Sequence, residues 1–293
     1  MPLVTLPEAA VLLRSGGLVA VPTETVYGLA ADATNEAAVR AIFVTKGRPA
    51  GHPLILHAHD PRPYAVFDER AERLAAFWPG PLTLVLPLRR ASGVAPAVTG
   101  GHGTLAVRCP AHPLTLALLH AAGVPLAAPS ANRFGEVSPT TAEHVLRSFP
   151  DLPVLDGGPC AVGVESTIVD LSGPVPALLR PGGVPAEALT LVLGDLAPSG
   201  TTAAPGTLPA HYAPRARVLV VDAAGALPAE LRDAGETVAV LPRLSPTEHA
   251  RTLYANLRAA DDAGATVIVC ERAAPGGLGA AINDRLQRAA FGR

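Results

Sequence analysis

Between Leu18 and His57 the chain reads strand, polar turn, helix, cationic loop, strand, and that order leaves few folds open. Leu18–Val21 is an apolar run closed by Pro22, which predicts a short buried strand. Thr23, Glu24 and Thr25 form a polar turn, and Tyr27, Gly28 and a run of small residues lead into an amphipathic helix near Glu36–Val44. The helix delivers Lys46 and Arg48 on a loop punctuated by Gly47 and Pro49, and a second apolar strand, Pro53–Leu56, ends on His57. Two strand ends and one helix end therefore converge hydroxyls, a carboxylate, two cations and an imidazole. In open α/β sheets, strand ends are where ligands bind.

Lys46 sharpens this. The chain holds 23 Lys plus Arg, and Lys46 is its only lysine. Arginine presents a flat fork, whereas lysine is a compact charge on a thin stem, the better shape for gripping phosphate or carboxylate at close quarters. The rest of the composition narrows the classes. With 293 residues, 49% hydrophobic and 16% charged, the chain can bury one large core or two smaller ones. A net charge of −2 argues against a general nucleic-acid binder, and 4% aromatics against stacking platforms for single strands. Cys109, Cys160 and Cys270 lie far apart with no CxxC pair, so neither a zinc site nor a disulfide framework is expected, in keeping with a reducing cytoplasm. The first residues read as a helix, Pro7–Arg14, stopped by Gly16 and Gly17, and no apolar run is long enough to span a membrane.

Further along, helices are expected at Ala71–Phe77, Pro113–Ala121 and Thr140–Ser148, the last capped by Thr140. Strands are expected at Leu82–Leu88, Leu105–Arg108, Val124–Ala128, Val154–Leu155, Glu165–Asp170 and Ala177–Arg180. Gly93–Gly103 reads as a loop. The alternation predicts an α/β class with a twisted open sheet over residues 1–193. Residues 194–214, dense in Pro, Gly, Thr and Ala, read as a linker ending in His211-Tyr212, either a lid over a site or a passive tether. Residues 215–293 resume a βαβαβ pattern with strands at Arg217–Asp222, Thr237–Leu241 and Thr266–Cys270. Helices at Leu227–Ala234, Thr247–Ala263 and Gly279–Ala290 complete a small Rossmann-like three-layer domain.

The residues that carry chemistry sit at strand ends of the first domain: Thr25, Lys46, Arg48, His57, Thr104, Arg108, Ser130, Asn132, Ser138, Ser166 and Arg180. Three arginines and one lysine make an anion site that hydroxyls and amides can orient. Taken singly, each has an ordinary structural explanation, such as a turn-forming Ser130 or a salt-bridged Arg108. There is no GxSxG elbow, no Walker motif and no GxGxxG. A bound nucleotide would therefore be held by cations and hydroxyls on strand ends.

At these residues the chain resembles the threonylcarbamoyl-AMP synthases in their long form, a YrdC-like domain followed by a C-terminal domain. The matching pieces are PTETVYGL (22–29), KGRP (46–49), PLILH (53–57), WPGPLT (78–83), TLAVRCPAHP (104–113), APSAN (128–132), GVESTIVD (163–170), LLRPG (178–182), HYAP (211–214) and GLGAAINDRLQRAA (277–290).

The resemblance implies a nucleotidyltransferase that joins L-threonine, bicarbonate and ATP into threonylcarbamoyl-adenylate and pyrophosphate. Partner proteins then pass the product to an adenosine beside the anticodon of tRNA. It implies threonine contacts from Thr25, His57, Arg108, Ala128 and Ser166. It implies ATP contacts from Arg48, His52, Thr104, Ser130, Asn132, Ser138, Arg180 and Tyr212, with Lys46 and Arg48 as the catalytic cations. Where relatives often carry Asn before PLI, this chain has His52. Mg²⁺ is expected with ATP rather than on a protein metal site. Two rivals stay open at this level: a module binding double-stranded RNA or tRNA, and a carbamoyl-transfer domain of the hydrogenase-maturation type. The second lacks the zinc fingers and length it would need, and weak tRNA contact by a local Arg patch is compatible with either.

Overall fold

The computed structural model describes residues 2–197, 202, 206, 208–222 and 235–291. An eight-stranded sheet runs in the order β1-β2-β6-β3-β5-β4-β7-β8. Its strands are β1 (Val19–Val21), β2 (Gly28–Asp32), β3 (Ile55–His57), β4 (Leu82–Pro87), β5 (Thr104–Arg108), β6 (Leu126–Ala127), β7 (Thr167–Asp170) and β8 (Ala177–Arg180). The pairs β3–β5 and β4–β7 are parallel, and the other five are antiparallel. The helices are α1 (Leu6–Arg14), α2 (Glu36–Lys46), α3 (Glu69–Leu74), α4 (Pro96–Thr99), α5 (Pro113–Ala122), α6 (Ala142–Ser148) and α7 (Ala186–Leu193).

Local chemistry sets the boundaries that matter for the site. Asn35 caps α2 by accepting from the Ala37 and Ala38 amides, and Gly47 ends it at φ +63°. That left-handed step costs glycine little and turns the chain at once into Arg48. Gly123 ends α5 in the same way at φ +68°.

Several elements differ from expectation. The sequence predicts no strand at β2, because GLAAD lacks the β-branched and aromatic side chains that mark strands. It forms because all five residues are buried and pair with β1 and β6. The loop after Gly93 contains α4, and α3 passes into a 3₁₀ turn over Ala75–Phe77. Thr141, not Thr140, caps α6 by accepting from the His144 amide at 3.3 Å. Val154 makes only isolated bridges to Leu3 and Ala20.

The period of two along each strand divides the sheet's faces. Leu56, Leu84, Leu86, Leu105, Val107 and Val169 join one core with α2 residues Val39 and Ile42. On the other face, Ile55, Val85, Ala106 and Ile168 make a small apolar patch. His57 lies opposite Arg108 in the parallel ladder, and Ile168 opposite Arg180 in the antiparallel one. The patch is therefore a floor with arginines and an imidazole standing around it.

A second sheet contains β9 (Arg217–Val221), β10 (Val238–Val240) and β11 (Val267–Glu271), all parallel in the order β10-β11-β9. Helices α8 (Pro246–Asp262) and α9 (Leu278–Ala290) pack on one face through Leu253, Tyr254, Leu257, Ile282 and Leu286. That cluster also takes in Val26, Val137 and Val164 from the first sheet's side, so the two units share a core. The helix expected at Leu227–Ala234, and with it the third layer, lies outside the described residues. The three cysteines are free and buried. Among the described residues, no helix is long and apolar enough to cross a membrane.

Candidate active site

The turn after β1 is organised by Thr23. Its hydroxyl accepts from the Thr25 and Val26 amides at 3.2 and 3.1 Å and donates to the Val26 carbonyl at 2.6 Å. This locks a compact turn that aims Glu24 and Thr25 across the sheet ends. Glu24 accepts from Arg108 Nη2 at 2.6 Å and from the Ala111 amide at 3.0 Å, while Arg108 Nε donates to the Gly80 carbonyl. The pair is almost fully buried, with side chains 4% and 11% exposed. Removing one partner of such a pair leaves a buried, uncompensated charge, which costs about 3–5 kcal/mol.

Beside Arg108, His57 Nδ1 lies 3.3 Å from the Ile55 carbonyl. A carbonyl only accepts, so Nδ1 carries the proton. Burial, and then the Arg108 charge, hold the imidazole down to about 3, so it is neutral at pH 7. Its Nε2 is left as a bare acceptor.

The opposite side is cationic. Arg48 Nη2 donates to the Pro53 carbonyl at 3.1 Å, and its guanidinium lies 5.7 Å from the Phe134 ring centre. Burial lowers its pKa to about 10, which still leaves it charged. Arg180 donates through Nε and Nη2 to the Ser166 carbonyl at 3.0 and 2.9 Å, and through Nη2 to the Ser166 hydroxyl at 3.0 Å. Between them stands Glu165. Its burial opposes ionisation, but Arg285, Arg180 and a hydrogen bond from Ser138 outweigh that and hold the carboxyl down to about 2.

These groups line one cleft, whose interior volume is about 50 Å³. Of the residues singled out in the sequence, Thr25, Arg48, His57, Arg108, Ala128, Ser130, Ser166, Arg180 and Tyr212 line it.

Five others do not line it. Lys46, 3% exposed, donates to the carbonyls of Ser130 and Asn132, so it ties down the turn that forms the wall. Asn132 donates to the Arg133 and Glu136 carbonyls, and Ser138 to Glu165. His52 packs edge-on against Phe134 at 5.9 Å. Thr104 begins β5 where Arg108 ends it, so the strand rise puts the two about 13 Å apart.

Sequence reasoning missed Glu165 as a lining residue, although it immediately precedes Ser166 in GVESTIVD; Gly206 and His211, from the linker read as a lid or a tether, line the cleft as well. Three buried polar atoms on lining residues have no hydrogen-bond partner: Arg48 Nε, His211 Nδ1 and Tyr212 Oη. Each costs about 1–3 kcal/mol, and such orphans call for an explanation. Tyr212 also sits at φ +61°, a strained conformation for a residue with a Cβ.

The buried histidines predict an acid sensitivity. Burial is the main cause that lowers His57 and His211 to about 3 and His144 to about 4, from an ordinary 6.5. Below 6.5 the unfolded chain takes up protons that the fold refuses, so stability is complete above that pH and declines as pH falls toward 4. Each such histidine contributes a slope of up to about 1.4 kcal/mol per pH unit. Glu165 adds a further loss below its ordinary 4.5. The thermal midpoint should drop steadily between pH 6.5 and 4.5; a flat midpoint over that window would contradict the burial argument.

The chain matches two family models. Residues 11–182 match Sua5_yciO_yrdC, described as telomere recombination, and residues 184–291 match Sua5_C, described as the C-terminal domain of threonylcarbamoyl-AMP synthase. It is 43% identical to the threonylcarbamoyl-AMP synthase of Pyrococcus abyssi over 96% of this chain and 92% of that protein. It is 38% identical to the enzyme of that name from Bacillus subtilis, over 98% and 93%. The crystal structure of P. abyssi Sua5 complexed with L-threonine superimposes with a TM-score of 0.92 at 42% identity, covering 97% and 94% of the two chains.

Proposed function

The chain belongs to the Sua5/YciO/YrdC family and carries the threonylcarbamoyl-AMP synthase C-terminal domain, and from this membership we propose that it is itself a threonylcarbamoyl-AMP synthase. It takes L-threonine, bicarbonate and ATP, releases pyrophosphate, and acts in the cytoplasm as a nucleotidyltransferase. Its product serves the threonylcarbamoyl transferases that modify tRNA. The observation that carries this reading is a cleft lined by Arg48, Arg108 and Arg180, with unpartnered polar atoms on the lining residues Arg48, His211 and Tyr212. Unpartnered polar groups beside fixed cations suit a polyanionic ligand.

The two sides divide the work. Arg108 and the bare Nε2 of neutral His57 suit the carboxylate and the ammonium or hydroxyl of threonine, with Thr25, Ala128 and Ser166 around them. Arg48, Ser130, Arg180 and Tyr212 face the nucleotide, and Ser138 acts through Glu165. Threonine's amine attacks the bicarbonate carbon to give a carbamate and release water. A carbamate oxygen then attacks the α-phosphorus, and pyrophosphate leaves. Both steps gather negative charge where the arginines already stand. No covalent nucleophile is needed, and alignment alone can supply about 7–11 kcal/mol of the barrier.

Magnesium enters as part of the nucleotide, since Mg²⁺ is usually held by substrate phosphates and few protein ligands. Of the linker expected at 194–214, residues 198–201, 203–205 and 207 lie outside the described residues; Gly206, His211 and Tyr212 line the cleft and serve as a lid that keeps water from the mixed anhydride. The RNA-module reading is not favoured, since the likeness to synthases runs through both domains.

Pyrophosphate release should require threonine, bicarbonate and ATP together; release that persists with threonine or bicarbonate omitted would refute the assignment. The amino-acid side should also be selective. Serine lacks one methyl, worth about 1–3 kcal/mol, and should react roughly 10-fold or more slowly. Valine leaves a buried hydroxyl partner unpaired and should be almost inert. Equal rates with valine would exclude a hydroxyl-reading pocket.

A further inference from the structure

Glu165 is a polar point of contact between the two domains, which also share an apolar cluster. One carboxylate oxygen accepts from Ser138 at 2.6 Å. The other accepts from Tyr254 Oη on α8 at 2.8 Å and from Arg285 Nε on α9 at 2.7 Å. Arg285 has no exposed side-chain surface, and its Nη1 also donates to the carbonyl of Pro181, the residue after Arg180. Its guanidinium lies 5.1 Å from the centre of the Tyr212 ring, which stacks on Tyr254 at 5.8 Å. The same helix fixes the linker's backbone, because the Arg288 carbonyl accepts from the His211 amide at 3.3 Å.

The first-domain and linker groups that Glu165 and Arg285 hold in this clamp belong to the proposed nucleotide side: Ser138, the Pro181 backbone beside Arg180, and Tyr212. The amino-acid side is held from within the first domain. Arg108 is bound by Glu24 and Gly80, and His57 by Ile55. We infer that Arg285, assisted by Tyr254, is a positioning residue of the second domain that sets the nucleotide side of the cleft through Glu165 and Tyr212. The inference rests on the proposed nucleotide site and says which domain controls it.

The test uses the full-length chain and two variants, Arg285→Gln and Tyr254→Phe, with two kinds of readout. Calorimetry measures the Kd of a non-hydrolysable ATP analogue, and pyrophosphate release gives separate KM values for ATP and threonine. Arg285→Gln should raise the analogue Kd and the ATP KM about 10-fold or more, with the threonine KM within about twofold at saturating ATP. Tyr254→Phe removes a single hydroxyl and should raise the same nucleotide constants roughly threefold. A folded Arg285→Gln with an unchanged analogue Kd, or an equal rise for both substrates, would overturn the inference. If Arg285→Gln does not fold, the pair of constants from Tyr254→Phe decides in the same way. Wild-type protein that fails to bind the analogue would instead overturn the nucleotide site and the inference with it.

Discussion

Lys46→Arg is expected to lower kcat/KM by about 100-fold or more, although it keeps the charge. The reason lies in where the ammonium goes. Lys46 is the last residue of α2, is 3% exposed, and spends two of its three donors on the carbonyls of Ser130 and Asn132. Ala128, Pro129 and Ser130 form a wall of the cleft, so the ammonium holds the wall's backbone from behind. A guanidinium is wider, planar and forked, and cannot occupy the same point between two carbonyls. It would push the turn outward, and a displacement of about 1 Å at a reacting centre can cost 10²-fold. This extends the reading of Lys46 as a charge that neutralises substrate: its compactness matters first for the turn. Steady-state kinetics on a variant that retains its far-ultraviolet circular dichroism provides the check. Near wild-type turnover would mean that any cation suffices at this position.

The first domain was legible wherever a short-range rule decides. Gly47 and Gly123 marked helix ends because each takes the left-handed conformation, and apolar runs marked β3, β4 and β5. The joint placement of His57 and Arg108 followed from both ending strands, and the parallel register sets them side by side. What failed depended on distant partners. Thr104 and Arg108 stand at opposite ends of one five-residue strand, and of the two only Arg108 lines the cleft. β2 is a strand only because β1 and β6 flank it. The bond from Arg285 to Glu165 spans 120 positions, and no spacing in the sequence encodes it. The likeness in GVESTIVD drew attention to Ser166, whereas Glu165 beside it is the group on which both domains converge.

Tyr212→Ala in the full chain should cut synthesis by about 100-fold and raise hydrolysis of any adenylate formed. Tyr212 is buried to 1% exposure, at the left-handed φ of +61°, with its hydroxyl unpartnered and its ring held between Arg285 and Tyr254. Gly206 approaches it so closely that a Cβ there would lie 2.4 Å from the tyrosine oxygen. A fold that buried this ring for packing alone would do better with phenylalanine, which carries no hydroxyl to leave unpartnered. Tyr212→Phe keeps the ring and deletes the orphan hydroxyl, so it should raise stability by about 1 kcal/mol. If the hydroxyl meets the nucleotide, the same substitution should raise the ATP KM about 10-fold. Stability and activity then move in opposite directions, which a passive tether does not predict. Cutting the chain at Leu193 tests the lid less cleanly. It strips Arg285 and Tyr254 from the buried Glu165 and uncovers the shared cluster at Val26, Val137 and Val164, so lost activity would follow from lost packing alone. The phenylalanine variant leaves those contacts in place. A higher unfolding midpoint with an unchanged ATP KM would assign Tyr212 to the tether, and a higher midpoint with a raised ATP KM would assign it to the lid.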